Sequence, residues 1–175
     1  LAPDAANRSG IGVFKDKRVR LAMFHAIDRE AMKKAYVPKE LANEPLPTVM
    51  CHKWHVACEG SIAPIAYDPA KAKALLKEAG LENGFDLQLA NWGAAAPQAQ
   101  LIAGYLRAVG IRASANTMPF GVYNKVRDDG QVQTFVSFWD NGGAQPDVSG
   151  TARFFFDPGS RNYSDDAKIA QLADE

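Results

Sequence analysis

Apolar residues in this chain recur at two spacings, one typical of helices and the other typical of strands. The clearest helix is predicted for the segment DPAKAKALLKEAG, with Asp68 as its N-terminal cap, Pro69 as its first residue and Gly80 as its stop. Three- and four-residue spacing predicts further helices over residues 16–28, 29–37, 97–110, 120–130 and 164–175. Their side-chain caps are predicted at Asp16, Asp28 and Ser164.

Alternating apolar residues predict three strands, over residues 85–91, 111–117 and 133–139. These strands alternate with helices along the chain, which is typical of crossover units and a largely parallel sheet. Crossovers of one hand cover such a sheet with helices. The predicted fold class is therefore α/β, an open, largely parallel or mixed sheet with helices on both faces.

Residues that follow the predicted strands are candidates for ligand binding, because open α/β sheets bind ligands beyond the carboxyl ends of their strands. Tryptophan supplies an apolar wall, and small or polar residues supply a few anchors. For Trp92 and Trp139 the alternative to ligand contact is core packing, and for Asp140 it is capping of a turn. The candidate ligand-binding residues at these ends are Trp92, Met118, Trp139, Asp140, Asn141 and Gly142.

Composition narrows the possible functions. Twenty basic residues balance twenty acidic ones among 175, so nucleic acid is not an expected partner. The sequence has no run of about 18 apolar residues that would cross a membrane. It also has no nucleophile elbow, phosphate loop, dinucleotide fingerprint or HExxH motif, so we expect neither an enzyme nor a cofactor. His25 is interpreted as a partly buried, hydrogen-bonded residue.

The segment CHKWHVAC lies in a long proline-containing connection, residues 38–66. Cys51, His52, His55 and Cys58 are possible zinc ligands, but the adjacent first pair makes a tetrahedral site difficult to close. A Cys51–Cys58 disulfide requires Cα atoms within about 7 Å and an oxidising compartment. Two free thiols are the third alternative. Trp54, between the cysteines, is either a further ligand contact or packed on the surface of its own domain.

Several segments together resemble the family 5 extracellular solute-binding proteins, the peptide- and nickel-binding components of ABC transporters. The resemblance rests on FKDKRVRLAMFHAIDREAM, YDPAKAKALLKEAG followed by GFDLQL, AQLIAGYLRAVGI, and the stretch from Trp139 to Asp147. These motifs occur in the order of the family and cover nearly the whole chain. In dipeptide-binding members, an aspartate near the position of Gly142 pairs with the amino terminus of the peptide.

The resemblance implies one lobe of a two-lobed periplasmic-binding-protein fold, with residues 1–175 forming most of the C-terminal lobe. It implies a monomer that captures an oligopeptide or similar polar solute between its N-terminal lobe and this one, and that delivers the solute to a membrane permease. It also implies a periplasmic or membrane-anchored extracytoplasmic location, which favours the Cys51–Cys58 disulfide over a metal site. The alternative is a nickel or zinc carrier, or an enzyme, that uses the cysteine and histidine cluster.

Overall fold

The computed structural model describes residues 1–40, 64–137, 155–156, 162–164 and 166–174. Within these ranges the α-helices are α1 (Lys17–Ala26), α2 (Arg29–Tyr36), α3 (Pro69–Glu78), α4 (Ala96–Ala108), α5 (Phe120–Asp128) and α6 (Ala167–Asp174). Short 3-10 helices at Val13–Lys15 and Gly93–Ala95 precede α1 and α4. The strands are β1 (Ala2–Pro3), β2 (Asp86–Trp92), β3 (Arg112–Met118) and β4 (Thr134–Phe135). Each predicted helix and strand therefore has a counterpart, and β1 is an addition.

Aspartate caps begin most of the helices. Asp16, Asp28 and Asp68 accept hydrogen bonds from the backbone N–H groups at the starts of α1, α2 and α3, each at 2.8 Å, as predicted. The predicted Ser164 cap of α6 is wrong. Asp166 accepts from the N–H groups of Lys168 and Ile169 at 3.0 and 3.1 Å, because its carboxylate lies next to the first turn and is a stronger acceptor than a hydroxyl.

The described strands form one sheet in the order β1-β4-β2-β3. Strands β2 and β3 pair in parallel along their whole length, from Asp86 opposite Arg112 to Trp92 opposite Met118. Strand β4 is parallel to β2 on its other side, and β1 is antiparallel to β4. The sheet is thus mixed, which agrees with the predicted fold class.

Alternate residues of β2 build two separate cores. Leu87 and Leu89 point to one face of the sheet, where they pack in a cluster with buried residues of α1, α3 and α4. Ala90 points to the other face and packs with Tyr123 of α5 and Phe135 of β4. Helices therefore cover both faces, as the alternation of elements predicts.

Tight turns at the amino ends of β2 and β3 pack closely against each other. Gly84 has φ of 68° and Gly110 has φ of 100°, and residues with a side chain rarely adopt such conformations. A Cβ atom on Gly84 would overlap the carbonyl oxygen of Gly110. The two turns can therefore pack this closely only because Gly84 has no side chain.

The first residues of the chain are fastened to the end of α5. The buried carboxylate of Asp4 accepts hydrogen bonds from the N–H groups of Arg8 and Ser9 at 3.0 and 2.7 Å, and from the Ser9 hydroxyl at 2.7 Å. The Arg8 guanidinium donates to the carbonyl of Asp128 and lies 4.8 Å from the ring centre of Tyr163. Burial raises the pKa of Tyr163 to about 12, so its neutral hydroxyl donates to the Arg127 carbonyl at 2.6 Å.

Candidate functional site

A crevice is expected where β2 and β3 end, because the chain leaves these neighbouring strands toward opposite faces. After Trp92 the chain turns into α4, whose buried residues join the cluster of Leu87 and Leu89. After Met118 it turns into α5, whose Tyr123 belongs to the opposite core. Such a switch point at the carboxyl edge is the usual ligand site of an open α/β sheet. We call residues 91–94 and 117–122 the carboxyl edge.

Three apolar side chains lie together at the carboxyl edge. Trp92 and Met118 are paired across the strands, are half-buried and both pack against the core on the α5 face. The ring of Phe120 meets that of Trp92 edge-on, with 5.0 Å between centroids and 62° between planes. Phe120 is nevertheless 56% exposed. The edge therefore offers an aromatic surface that packs on the core on one side and is exposed to solvent on the other.

At the same strand ends, on the other face of the sheet, Asn91 and Thr117 form a neutral polar pair. Asn91 is fully buried, and its carbonyl oxygen accepts a hydrogen bond of 2.8 Å from the Thr117 hydroxyl. The Asn91 amide donates to the carbonyl of Leu89 at 2.9 Å. These bonds fix the side chain of Asn91 and leave the exposed Thr117 oxygen able to accept a hydrogen bond from a ligand.

The two sequence segments that build the carboxyl edge contain no charged residues. No Asp, Glu, Lys, Arg or His occurs between Asp86 and Arg107, or between Arg112 and Lys125. The charged residues that bound these segments lie at the opposite ends of their strands or helices. The strand ends and helix starts at this edge therefore carry neither fixed positive nor fixed negative side-chain charge.

The two helices that begin at the carboxyl edge also differ from the others in their caps. Within the described ranges, neither α4 nor α5 has a side-chain hydrogen bond at its N-cap, which is Ala95 in one and Pro119 in the other. The α1, α2 and α3 starts each have an aspartate there. First-turn N–H groups of α5 without a side-chain acceptor are available to water or to an acceptor on a ligand. The first N–H of α4, that of Ala96, already donates to the carbonyl of Gly93 in the preceding 3-10 turn.

A pocket of about 290 Å³ continues from Met118 along the α5 face of the sheet. Gln133 accepts a hydrogen bond from the Gln88 backbone at 2.9 Å, and Asn116 donates to the Gln88 side chain at 3.2 Å. The lining residues are all neutral: Ser9, Gln88, Ala90, Asn116, Met118, Val126, Gln131, Val132 and Gln133. The pocket therefore extends the uncharged character of the edge along the α5 face of the sheet.

The described residues include only part of the predicted site. Trp92 and Met118 lie together at the switch point, which is the arrangement that the strand pattern predicts. The other predicted ligand contacts lie outside the described residues: Trp54, Trp139, Asp140, Asn141 and Gly142. So do the four residues of the cysteine and histidine cluster, and with them the predicted disulfide and the alternative metal site.

His25 has the structural role predicted for it. It is 8% exposed, and its Nδ1 lies 2.8 Å from the carbonyl oxygen of Ala66. This contact ties α1 to the segment that precedes α3. Among the residues that the structure describes, no group of three or more His, Cys, Asp or Glu side chains could hold a metal ion.

Phe120 is the residue of the edge that sequence reasoning missed. Its three-residue spacing from Tyr123 and Val126 predicts a common buried face, and Tyr123 is indeed fully buried. Phe120 is exposed instead, because it is the first residue of α5 and extends past the end of the sheet onto Trp92. A usable signal was its position immediately after a strand end, next to Pro119.

Comparison with known proteins gives the family. Residues 5–162 match the family model described as "Bacterial extracellular solute-binding proteins, family 5 Middle". The dipeptide-binding protein of Escherichia coli (strain K12) is 34% identical over 143 residues, which are 75% of this chain and 25% of that protein. The chain thus spans about a quarter of the length of the curated relatives it matches.

Solved structures show the same fold at lower identity. The dipeptide-binding protein of Pseudoalteromonas sp. SM9913, in complex with Met-Leu, has a TM-score of 0.77 and 19% identity, over 98% of this chain and 38% of that one. The periplasmic binding protein DppA of Helicobacter pylori, in complex with the peptide STSA, has a TM-score of 0.72 and 22% identity, over 98% and 34%. With the family model covering most of its length, the chain belongs to the family 5 bacterial extracellular solute-binding proteins.

Proposed function

We propose that this chain forms one lobe of the substrate-binding component of an ABC transporter. The component captures an oligopeptide or a similar polar solute by closing two lobes around it, and it delivers the solute to the membrane permease. The observation that carries this proposal is the carboxyl edge, where Trp92, Met118 and Phe120 form an exposed apolar surface at the switch point of a family 5 fold.

The chemistry of the edge supports binding rather than catalysis. Neutral amide, hydroxyl and backbone groups beside an aromatic wall are the usual parts of a ligand pocket, which buries apolar surface and orients the ligand with a few hydrogen bonds. Asn91 and Thr117 supply such groups at the same strand ends as Trp92 and Met118, on the other face of the sheet. The family is one of solute-binding proteins, so we assign the chain no reaction.

The edge is open, so we propose that it is half of a binding site. A ligand placed on Trp92 and Phe120 would keep its outer side in water until a second lobe covers it. In a receptor that closes by a hinge, the affinity comes from the ligand's contacts with both lobes in the closed state. Residues 1–175 by themselves are therefore expected to bind solute weakly or undetectably.

Location and partners follow from the same role. The family is described as extracellular, and we place this protein in the periplasm or on an extracytoplasmic membrane anchor. None of the helices in the described ranges combines the length and apolarity needed to cross a membrane. The proposed partners are the second lobe of the same protein and the permease, with the receptor acting as a monomer.

The proposal is tested on the full-length gene product purified from its own host. Native mass spectrometry should show a small solute that co-purifies, and calorimetry with that solute should give saturable binding at a ratio of one. The same titration with residues 1–175 should give little or no heat. Micromolar or tighter binding by residues 1–175, or a full-length product that binds no peptide and no co-purified solute, would contradict the proposal.

The extracytoplasmic location carries a separate proposal, a disulfide between Cys51 and Cys58. Thiol labelling of the unfolded protein should find no free cysteine before reduction and both cysteines after it. Labelling of both cysteines without reduction would exclude the disulfide. Elemental analysis of the same sample for zinc and nickel tests the alternative metal site.

A further inference from the structure

The character of the carboxyl edge says what kind of ligand group it can accept. Its aromatic surface is built by Trp92 and Phe120, and the segments that carry them contain no charged residue. Closure of a second lobe would remove water from this surface. A charged ligand group enclosed there would lose its hydration without gaining an opposite charge from this edge, whereas an apolar group would be stabilised by burial.

Phe120, like Val122 two residues later, is a large apolar residue of α5 that is exposed. Tyr123, one helical turn later, is fully buried in the α5 core, whereas Phe120 is 56% exposed and meets the ring of Trp92 edge-on. A large apolar side chain that contributes this little to the core is a candidate for contact with something outside it. The nearest charged group on α5, Lys125, pairs with Asp129 toward the far end of the helix, at 2.7 Å.

We propose that the carboxyl edge binds an uncharged, apolar side chain of a peptide, and that Phe120 determines this preference. The inference rests on the proposed function and goes further by naming the class of ligand group. Likeness to solved structures does not decide this point, since one was solved with Met-Leu and another with the polar peptide STSA. The preference comes from the residues of this chain, where Trp92, Met118 and Phe120 supply apolar area and the Asn91–Thr117 pair supplies only neutral hydrogen-bonding groups.

The first test is a peptide series measured by calorimetry on the full-length gene product. The probes are Ala-Leu-Ala, Ala-Phe-Ala, Ala-Glu-Ala and Ala-Lys-Ala, which share length and termini and differ in the central side chain. The apolar pair should bind at least about tenfold more tightly than the charged pair, because burial of a large apolar side chain contributes that much or more. Equal affinities, or a preference for either charged peptide, would overturn the inference while leaving the proposed function intact.

The second test places a charge on the edge. Phe120→Lys should lower the affinity for Ala-Leu-Ala by about tenfold and raise that for Ala-Glu-Ala relative to it, because the new ammonium opposes apolar contact and pairs with a carboxylate. Asn83→Lys is the matched control, since it adds the same charge to an exposed turn at the opposite end of β2. It should leave both affinities within about twofold.

The outcomes separate the two proposals. An unchanged peptide preference in a folded Phe120→Lys protein, or equal effects of the two lysines, would show that Phe120 does not set the preference. If folded full-length protein binds none of the four peptides and carries no co-purified peptide, the proposed peptide function fails and the inference fails with it. Circular dichroism of both variants establishes that they are folded.

Discussion

The two ends of the β2–β3 pair are both accessible to water, but they differ in chemistry. At the amino end, Asp86 and Arg112 are opposite each other and form an exposed ion pair of 2.7 Å. At the carboxyl end, the residues opposite each other are Trp92 and Met118, and Phe120 extends the apolar surface. Six residues of parallel strand, about 20 Å, separate these ends.

This difference is the reason for proposing that the ligand binds at the carboxyl end. An exposed ion pair has little effect on stability, and it keeps the amino end hydrated and unattractive to apolar partners. At the carboxyl end, the exposed ring of Phe120 beside half-buried Trp92 and Met118 offers apolar surface that a partner or ligand could cover. The helices also differ in their caps, because α3 has an aspartate cap whereas α4 and α5 have no side-chain acceptor at their N-caps.

The largest expected effect is on stability and comes from the core beneath the strands. Leu89→Ala removes a fully buried side chain from the cluster of α1, α3 and α4, and should lower the free energy of unfolding by about 2–5 kcal/mol. Phe120→Ala, at the exposed edge, should lower it by less than about 1 kcal/mol while weakening binding of Ala-Leu-Ala. Urea denaturation and calorimetry measure the two quantities. Equal losses of stability would mean that Phe120 is a core residue.

A second effect concerns the anchor of the chain's first residues on the end of α5. Since the pKa of Tyr163 is about 12 in the folded protein, above the value of about 10 for unfolded tyrosine, its contribution to stability is complete below pH 10. That contribution should be lost as the pH rises from about 10 to about 12. Tyr163→Phe should cost about 1 kcal/mol at neutral pH, because it removes the hydrogen bond to the Arg127 carbonyl.

The readout is the denaturation midpoint across the alkaline range for both proteins. The difference between wild type and Tyr163→Phe should shrink as the pH rises above 10. A difference that grows above pH 10 would contradict the assignment of the raised pKa to buried Tyr163.

A third substitution, at the carboxyl edge, should raise stability and weaken binding. Pro119→Asp supplies α5 with the cap that its start lacks, and relative to Pro119→Ala it should stabilise the protein by about 1 kcal/mol. The same carboxylate puts a negative charge beside Phe120, so binding of Ala-Leu-Ala should weaken severalfold. A more stable variant with unchanged binding would show that this helix start lies outside the ligand site.

The smallest expected effect lies at the charged end of the strands. Arg112→Ala breaks the exposed pair with Asp86 and the hydrogen bond to the Asn83 carbonyl, and should cost at most about 1 kcal/mol. Peptide affinity should not change. A loss of affinity comparable to that of Phe120→Lys would remove the distinction between the two ends.

Much of this organisation is encoded locally, and the local part was predictable. Asp68, Pro69 and Gly80 define α3 from its own sequence, and alternating residues define β2 and β3. Strand β1 was not predictable, because two residues carry no period and their partner, β4, lies more than a hundred residues away in sequence. Helix α6 begins at Ala167 and is capped by Asp166 rather than Ser164, because neighbouring acceptors compete within one turn.

The candidate site also has a part that was predictable from local sequence and a part that was not. The strand ends placed Trp92 and Met118 in register because parallel strands that pair along their whole length finish together. The outward position of Phe120 depends on where α5 starts relative to the end of the sheet, which is a tertiary relation that helical spacing cannot express.

The central claim, that ligand binds at the carboxyl edge of β2 and β3, is tested most directly by amide hydrogen exchange of the full-length gene product with and without Ala-Leu-Ala. Binding should slow exchange in residues 91–95 and 117–122, and leave residues 82–86 and 110–112 unchanged. Protection confined to the amino end, or saturable binding without protection at the carboxyl edge, would contradict the claim.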